Sequence, residues 1–203
     1  MPPARGSHSV HRISVISNWG RFKFFAVLLC ALFFVPCLQA QRPKPTDYQV
    51  KAVYLMNFAR FVGWPDKLGM QQDLFTICVF GTDPFGRTLD STIAGEKIAG
   101  RSAAVKRIST PQDSLDCRIL FVGSAETAPV NRMIEAANKQ GILTVSDMPH
   151  FASRGGMIQF VTDDKRVRFE VNLTAAQRAG LTLSSELLKV ATLVRTNETA
   201  GDQ

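Results

Sequence analysis

The chain has 203 residues, 24 Lys and Arg against 17 Asp and Glu, and a formal net charge of +7. Residues 1–40 hold four of the basic residues and none of the acidic ones, so the rest of the chain carries only +3. With only the short clusters Lys106-Arg107 and Lys165-Arg166-Arg168, a body so nearly neutral excludes a nucleic-acid footprint, and its length suits a single domain with its own core.

Phe24 to Leu38 is an uninterrupted apolar run behind Arg5, Arg12, Arg21 and Lys23, followed by the small Ala40. At 15 residues it is shorter than the roughly 20 that a membrane-spanning helix needs. The pattern predicts a cleavable signal peptide over residues 1–40, and therefore export. An uncleaved anchor is the competing reading, because the basic region ahead of the run is long. Pro36 before Cys37 and Leu29 before Cys30 leave no small residue for lipidation.

Residues 41–47 read as a Pro-rich linker, 48–195 as one domain and 196–203 as a flexible tail. Thr46-Asp47-Tyr48-Gln49 has capping-box spacing, and Val50, Val53, Tyr54, Asn57, Phe58 and Phe61 form a helical stripe that stops at Gly63-Trp64-Pro65. Asn57 inside that stripe reads as a hydrogen-bonded core amide. Phe75–Phe80 is a strand, Gly81–Pro84 a turn, Phe85–Ser91 a short helix and Ala103–Ile108 a strand. The cycle repeats with a helical turn at Pro111–Leu115, a strand at Arg118–Val122, a helix from Val130 to Gln140 ended by Gly141, and a strand at Ile142–Ser146.

That alternation predicts an α/β fold of three layers, a mixed and mostly parallel sheet with helices on both faces. Met157–Val161 and Val167–Asn172 flank the polar turn Thr162–Arg166 and predict a C-terminal β-hairpin at the sheet edge. Gly155-Gly156 reads as a bend packed closely on its neighbours. Thr174 is expected to cap a short helix to Ala179, and Ser184 or Ser185 a last helix through Val194.

Removing residues 1–40 takes away Cys30, Cys37, His8 and His11, and leaves Cys78, Cys117 and His150. One histidine, and two cysteines without CxxC spacing, give no metal site and no catalytic set, so neither an enzyme nor a cofactor is expected. Asp163-Asp164 falls in the hairpin turn as solvated charge. In an exported protein the pair Cys78 and Cys117, on two strands that can be neighbours, predicts a disulfide; two buried thiols are the other reading. Gly81, Thr82 and Asp83, with Gly123 and Ser124, each follow a strand and precede a helix, so both loops are candidates for a ligand at the carboxyl edge of the sheet. Neither loop has phosphate-loop or dinucleotide spacing, and simple capping turns compete with that reading.

Taken in order, Tyr54-Leu55-Met56-Asn57-Phe58 to Trp64-Pro65, the strand with Cys78, Gly155-Gly156-Met157-Ile158, and Phe169-Glu170-Val171-Asn172 through Leu187-Leu188 resemble the YfiR-type periplasmic regulators over about residues 48–191. The resemblance implies a non-enzymatic, periplasmic α/β domain. It also implies repression of an inner-membrane diguanylate cyclase through that enzyme's periplasmic sensor region, hence a place in a cyclic-di-GMP pathway. An outer-membrane lipoprotein partner and a homodimer belong to the same implication. Cys78 and Cys117 resemble one of two cysteine pairs known in the family, and nothing after Cys117 supplies the second. The pair is then a structural staple, a redox switch, or both. The alternative is a periplasmic small-molecule-binding or enzymatic α/β domain that uses the loops at Gly81 and Gly123.

Overall fold

A capping box opens the domain. The Thr46 hydroxyl accepts the Gln49 N–H at 3.3 Å, and the Gln49 side-chain oxygen accepts the Thr46 N–H at 2.8 Å. Helix α1 then runs Asp47–Phe61. The computed structural model describes residues 44–65, 74–124 and 127–194. The expected signal peptide (1–40), the first part of the linker and the tail (196–203) lie outside the described residues. The chain divides into units 1–43 and 44–203, and every described residue belongs to the second.

The buried face of α1 is rotated from the one its periodicity marks. Lys51, Ala52, Leu55, Phe58 and Ala59 are buried, whereas Val53 is 45% and Phe61 40% exposed. Asn57 is half-buried rather than a core amide. The cause is Lys51: as a charge it breaks the apolar pattern, yet a carboxylate partner lets it sit inside.

The remaining strands and α-helices are β1 (Val62–Gly63), β2 (Leu74–Phe80), α2 (Arg87–Ile93), β3 (Lys97–Ile98), β4 (Arg101–Ile108), β5 (Cys117–Val122, after a 3-10 turn at Pro111–Asp116), α3 (Thr127–Lys139) and β6 (Leu143–Ser146). They continue with β7 (Ile158–Asp163), β8 (Arg166–Val171), α4 (Leu173–Arg178), β9 (Thr182–Leu183), α5 (Ser185–Val190) and β10 (Thr192–Leu193). One sheet has the order β10-β8-β7-β6-β5-β2-β4-β3, and β1 pairs with β9 in a separate ribbon. From β4 across to β7 the pairings are parallel, while β7 and β8 form the antiparallel hairpin, with Asp163 opposite Arg166. The three-layer α/β reading therefore holds. One apolar cluster lies under α1 and α2 around Phe58, Ile77, Phe121 and Phe169. The other lies under α3, around Leu120, Met133, Ile142 and Phe151.

Two ends differ from the sequence reading. Asn172, not Thr174, caps α4, its side-chain oxygen accepting the Ala175 N–H at 2.9 Å. The last helix starts from the Ser184 cap but stops at Val190, because Thr192-Leu193 pairs in parallel with Glu170-Val171. The hairpin's outer strand would otherwise present unpaired backbone groups along that stretch, and the β10 pairing satisfies them. The bend at Gly155-Gly156 is packed as expected: a Cβ on Gly156 would run into the Phe151 ring, and Gly155 has φ of 98°.

Candidate functional site

The strand order reverses between β2 and β5. The chain leaves β2 through α2 to β4 on one side, then crosses to β5 on the other, and α2 and α3 cover opposite faces. In open α/β sheets the carboxyl end of such a switch point is the usual ligand crevice. The structure brings both candidate loops there and closes each against the other. The Gly123 N–H donates to the Phe80 carbonyl at 2.8 Å and the Thr82 N–H to the Ser124 carbonyl at 3.3 Å. A Cβ on Gly123 would run into the Thr82 carbonyl oxygen.

Asp83 is similarly engaged. One of its oxygens accepts the Phe85 and Gly86 N–H groups at 2.8 and 3.2 Å, and the other accepts Arg107 Nε–H at 3.0 Å. Arg107 also makes a two-pronged contact to Asp90, both bonds 2.7 Å, which holds the Asp90 carboxyl below its usual range. The Thr82, Phe85, Gly86 and Gly123 N–H groups at this edge thus all donate within the chain.

A disulfide joins Cys78 and Cys117 across the same two strands, with Cα atoms 5.7 Å apart. Strand neighbourhood alone does not make these cysteines face. Cys117 lies opposite Thr76 and Ile119 opposite Ile77, so Arg118 is an extra residue in β5. This irregularity puts Cys117 on the face of Leu120 and Val122, which is also the face of Cys78. A regular strand would have pointed it with Ile119 and Phe121 to the other face.

One cluster at the carboxyl edge has no counterpart in the sequence reading. Asp147, just past β6, accepts Lys51 Nζ–H at 2.7 Å and the Tyr48 hydroxyl at 3.1 Å. The Lys51 ammonium also lies 4.4 Å from the Tyr48 ring centroid. Burial, reinforced by the adjacent carboxylate, pushes the Tyr48 hydroxyl pKa upward. Tyr48 and Lys51 share one helix face, but their acid is 96 residues from Lys51, so no local pattern announces it. The cluster ties the start of α1 to the end of β6. His150 is exposed, and among the described residues no three metal-ligating side chains come together.

Among the described residues, the opposite, amino-terminal edge of the sheet holds a cavity of about 730 Å³ between the end of α1, β1, β3 and the starts of β2, β4 and β5. Arg60, Lys97, Arg101 and Arg118 line it with Trp64 and Phe75. The Trp64 indole N–H donates to the Arg118 carbonyl at 3.2 Å, and its ring meets Phe75 edge-on at 5.3 Å, so the aromatic wall is held in place. Arg60 pairs with Glu96 at 2.8 Å. Burial, and then the nearby charge of Arg101, lowers the pKa of Arg118.

These features define a three-layer α/β domain whose switch point is closed and stapled by a disulfide. The chain belongs to the YfiR/HmsC-like family, whose model matches residues 48–192. A conserved domain protein of Vibrio cholerae O1 biovar El Tor str. N16961 is similar in structure, with TM-score 0.50 and 14% identity over 74% of this chain. This chain spans 60% of that protein's length. The ABC domain in complex with L-Trp from Streptococcus pneumonia gives TM-score 0.41 and 13% identity, covering 59% of this chain and 55% of its own. Among curated proteins none matches. No helix of the described residues is long and apolar enough to cross a membrane.

Proposed function

We propose that the chain is an exported periplasmic regulator of YfiR type, without catalytic activity, which binds the periplasmic region of an inner-membrane sensor protein. The observation that carries this reading is the family match over 145 residues, 48 to 192, which covers every strand of the sheet except the end of β10. The regulated protein is a diguanylate cyclase or a related membrane sensor, and release by an outer-membrane lipoprotein and action as a homodimer follow from the same kinship. The apolar run at 24–38 supports export, and the Cys78–Cys117 bridge suits an oxidising compartment. The closed switch point gives an enzymatic reading little support, since both candidate loops hydrogen-bond to each other.

Cross-linking in intact cells, followed by purification of the tagged protein, tests the binding half: an inner-membrane protein with a periplasmic sensor region is the expected product. Deleting the gene is expected to raise cellular cyclic-di-GMP. Unchanged cyclic-di-GMP together with no membrane partner would sink the proposal. Sequencing the N-terminus of the exported protein is expected to start at Gln41, and a start ahead of Phe24 would instead establish an anchor.

A further inference from the structure

We infer that the outer edge of β8 at residues 166–168 is a docking site for an extended segment of another polypeptide, added as a strand and reading acidic, apolar, acidic. Asp164 and Lys165, with φ of 46° and 59°, make the two-residue turn that joins Asp163 to its partner Arg166. Such a turn closes on a hydrogen-bonded pair. By the alternation of an antiparallel ladder, Arg166 and Arg168 then turn their backbone groups toward β7, and Val167, Phe169 and Val171 turn theirs outward. The Val171 carbonyl has that phase, since it accepts the Val194 N–H at 2.9 Å from just past β10. β10 pairs only with Glu170 and Val171, so among the described residues β8 has no second neighbour over 166–168. The outward N–H and carbonyl of Val167 are a template for one more strand.

Arg166 and Arg168 are exposed on one face of β8, and the buried Val167 points to the other, which α1 covers. Residues set opposite one another across a strand pair share a face, so a strand laid against Val167 puts its flanking side chains beside the two arginines. Arg168 also holds Asp163 at 3.0 Å, whereas Arg166 has no ion pair among the described residues. A second copy of this chain is a poor occupant. In an antiparallel register that clears β10, with Val167 against its twin, Arg166 of each copy stands opposite Arg168 of the other, and like charges directly opposite destabilise the pair. Nor does this chain supply the strand itself, because no two of its 17 acidic residues are two positions apart. The cations that guard the edge against its own kind thus select a strand of the opposite sign. This inference does not depend on the regulatory reading, and either can fail alone.

Solution NMR of the exported protein tests it with three short capped peptides: alternating glutamate and valine, alternating lysine and valine, and alternating glutamate and N-methylvaline, which lacks the strand donors. In the free protein the Val167 amide is expected to exchange with solvent at least about a hundredfold faster than the Arg168 amide, which bonds to β7. The glutamate–valine peptide is expected to shift the Val167 amide saturably and to slow its exchange, the lysine–valine peptide to bind about tenfold more weakly, and the N-methylated peptide to leave the amide unmoved. Arg166→Glu is expected to weaken the glutamate–valine peptide about fivefold and to strengthen the lysine–valine peptide by a similar factor. Arg166 is exposed, so the variant keeps the fold. A Val167 amide as slow as that of Arg168 in the free protein would overturn the inference and mean that the chain covers its own edge. No saturable shift with the glutamate–valine peptide, equal affinity for the two charged peptides, or undiminished binding of the N-methylated one would overturn it too.

Discussion

The two edges of the central sheet solve opposite problems. At the carboxyl edge, where an open α/β sheet would normally admit a ligand, the two loops, the Arg107–Asp83 pair, the Lys51–Asp147 pair and a disulfide just below tie the described groups to one another. At the amino edge, strand ends bring cations together around a space of about 730 Å³. Switch-point topology opens a crevice only if the two loops splay, and here Gly123 is packed so tightly on Thr82 that a Cβ would meet the Thr82 carbonyl oxygen. Position in a fold, then, predicts where a site can be; side-chain chemistry decides whether it is open.

Four measurements would break or sharpen that contrast. Cys117→Ser should have the largest effect. By the chain-entropy estimate, closing a loop of 39 residues contributes about 4 kcal/mol, so calorimetry should show a melting point lower by roughly 10 °C. An unchanged melting point would mean that the bridge does not hold the switch point shut.

Asp147→Asn comes next. It leaves the Lys51 ammonium nearly buried without its counter-charge, at a cost of about 2 to 3 kcal/mol, less than for a fully buried pair because the Asp147 side chain keeps 21% exposure. Lys51→Met, which removes the charge but keeps the apolar volume, should stay within about 1 kcal/mol of wild type in denaturant unfolding. If the two variants are equally destabilised, packing rather than charge pairing ties α1 to β6.

Gly123→Ala should cost about 2 kcal/mol, since the added methyl must force the two loops apart. A neutral result would show the crevice to be looser than drawn and would revive it as a site. The smallest effect is reserved for Arg107→Gln, about 1 kcal/mol or less at neutral pH because Arg107 and Asp90 are both well exposed. Its sign with pH is fixed by Asp90, whose native pKa is lowered. The stabilisation is present above the ordinary Asp value of about 4 and is lost as pH falls through the depressed native value. Stability curves of the two proteins should therefore converge in acid and with added salt.

Much of the fold is legible in the sequence. The Thr46 and Gln49 cap, the apolar runs at 75–80 and 117–122, and the hairpin around Thr162–Arg166 are all local signals, read from residues within a few positions of one another. The buried face of α1 is not legible in the sequence, because Lys51 is polar by composition and inner by partnership. Strands of two residues, β1, β3, β9 and β10, were missed because so short an element has no periodicity. Of the candidate site residues, Gly81, Asp83 and Gly123 do converge, as two loops after neighbouring parallel strands must. That they close on one another depends on a backbone approach no spacing encodes. The amino-edge cavity was invisible for the same reason: Arg60, Lys97, Arg101 and Arg118 are scattered singly and read as ordinary surface charge.

By itself the sequence determined the alternation of strands and helices, hence the three-layer α/β class, together with the family and the single pair of cysteines outside residues 1–40, because these are properties of periodicity, order and count. Tertiary structure alone decided which way Cys117 points, that Lys51 is buried against Asp147, and that four distant cations share one cavity. Each of those depends on strand register and on approach between residues far apart in the chain, and a one-residue irregularity such as that at Arg118 reverses a side chain's face while leaving the local pattern unchanged.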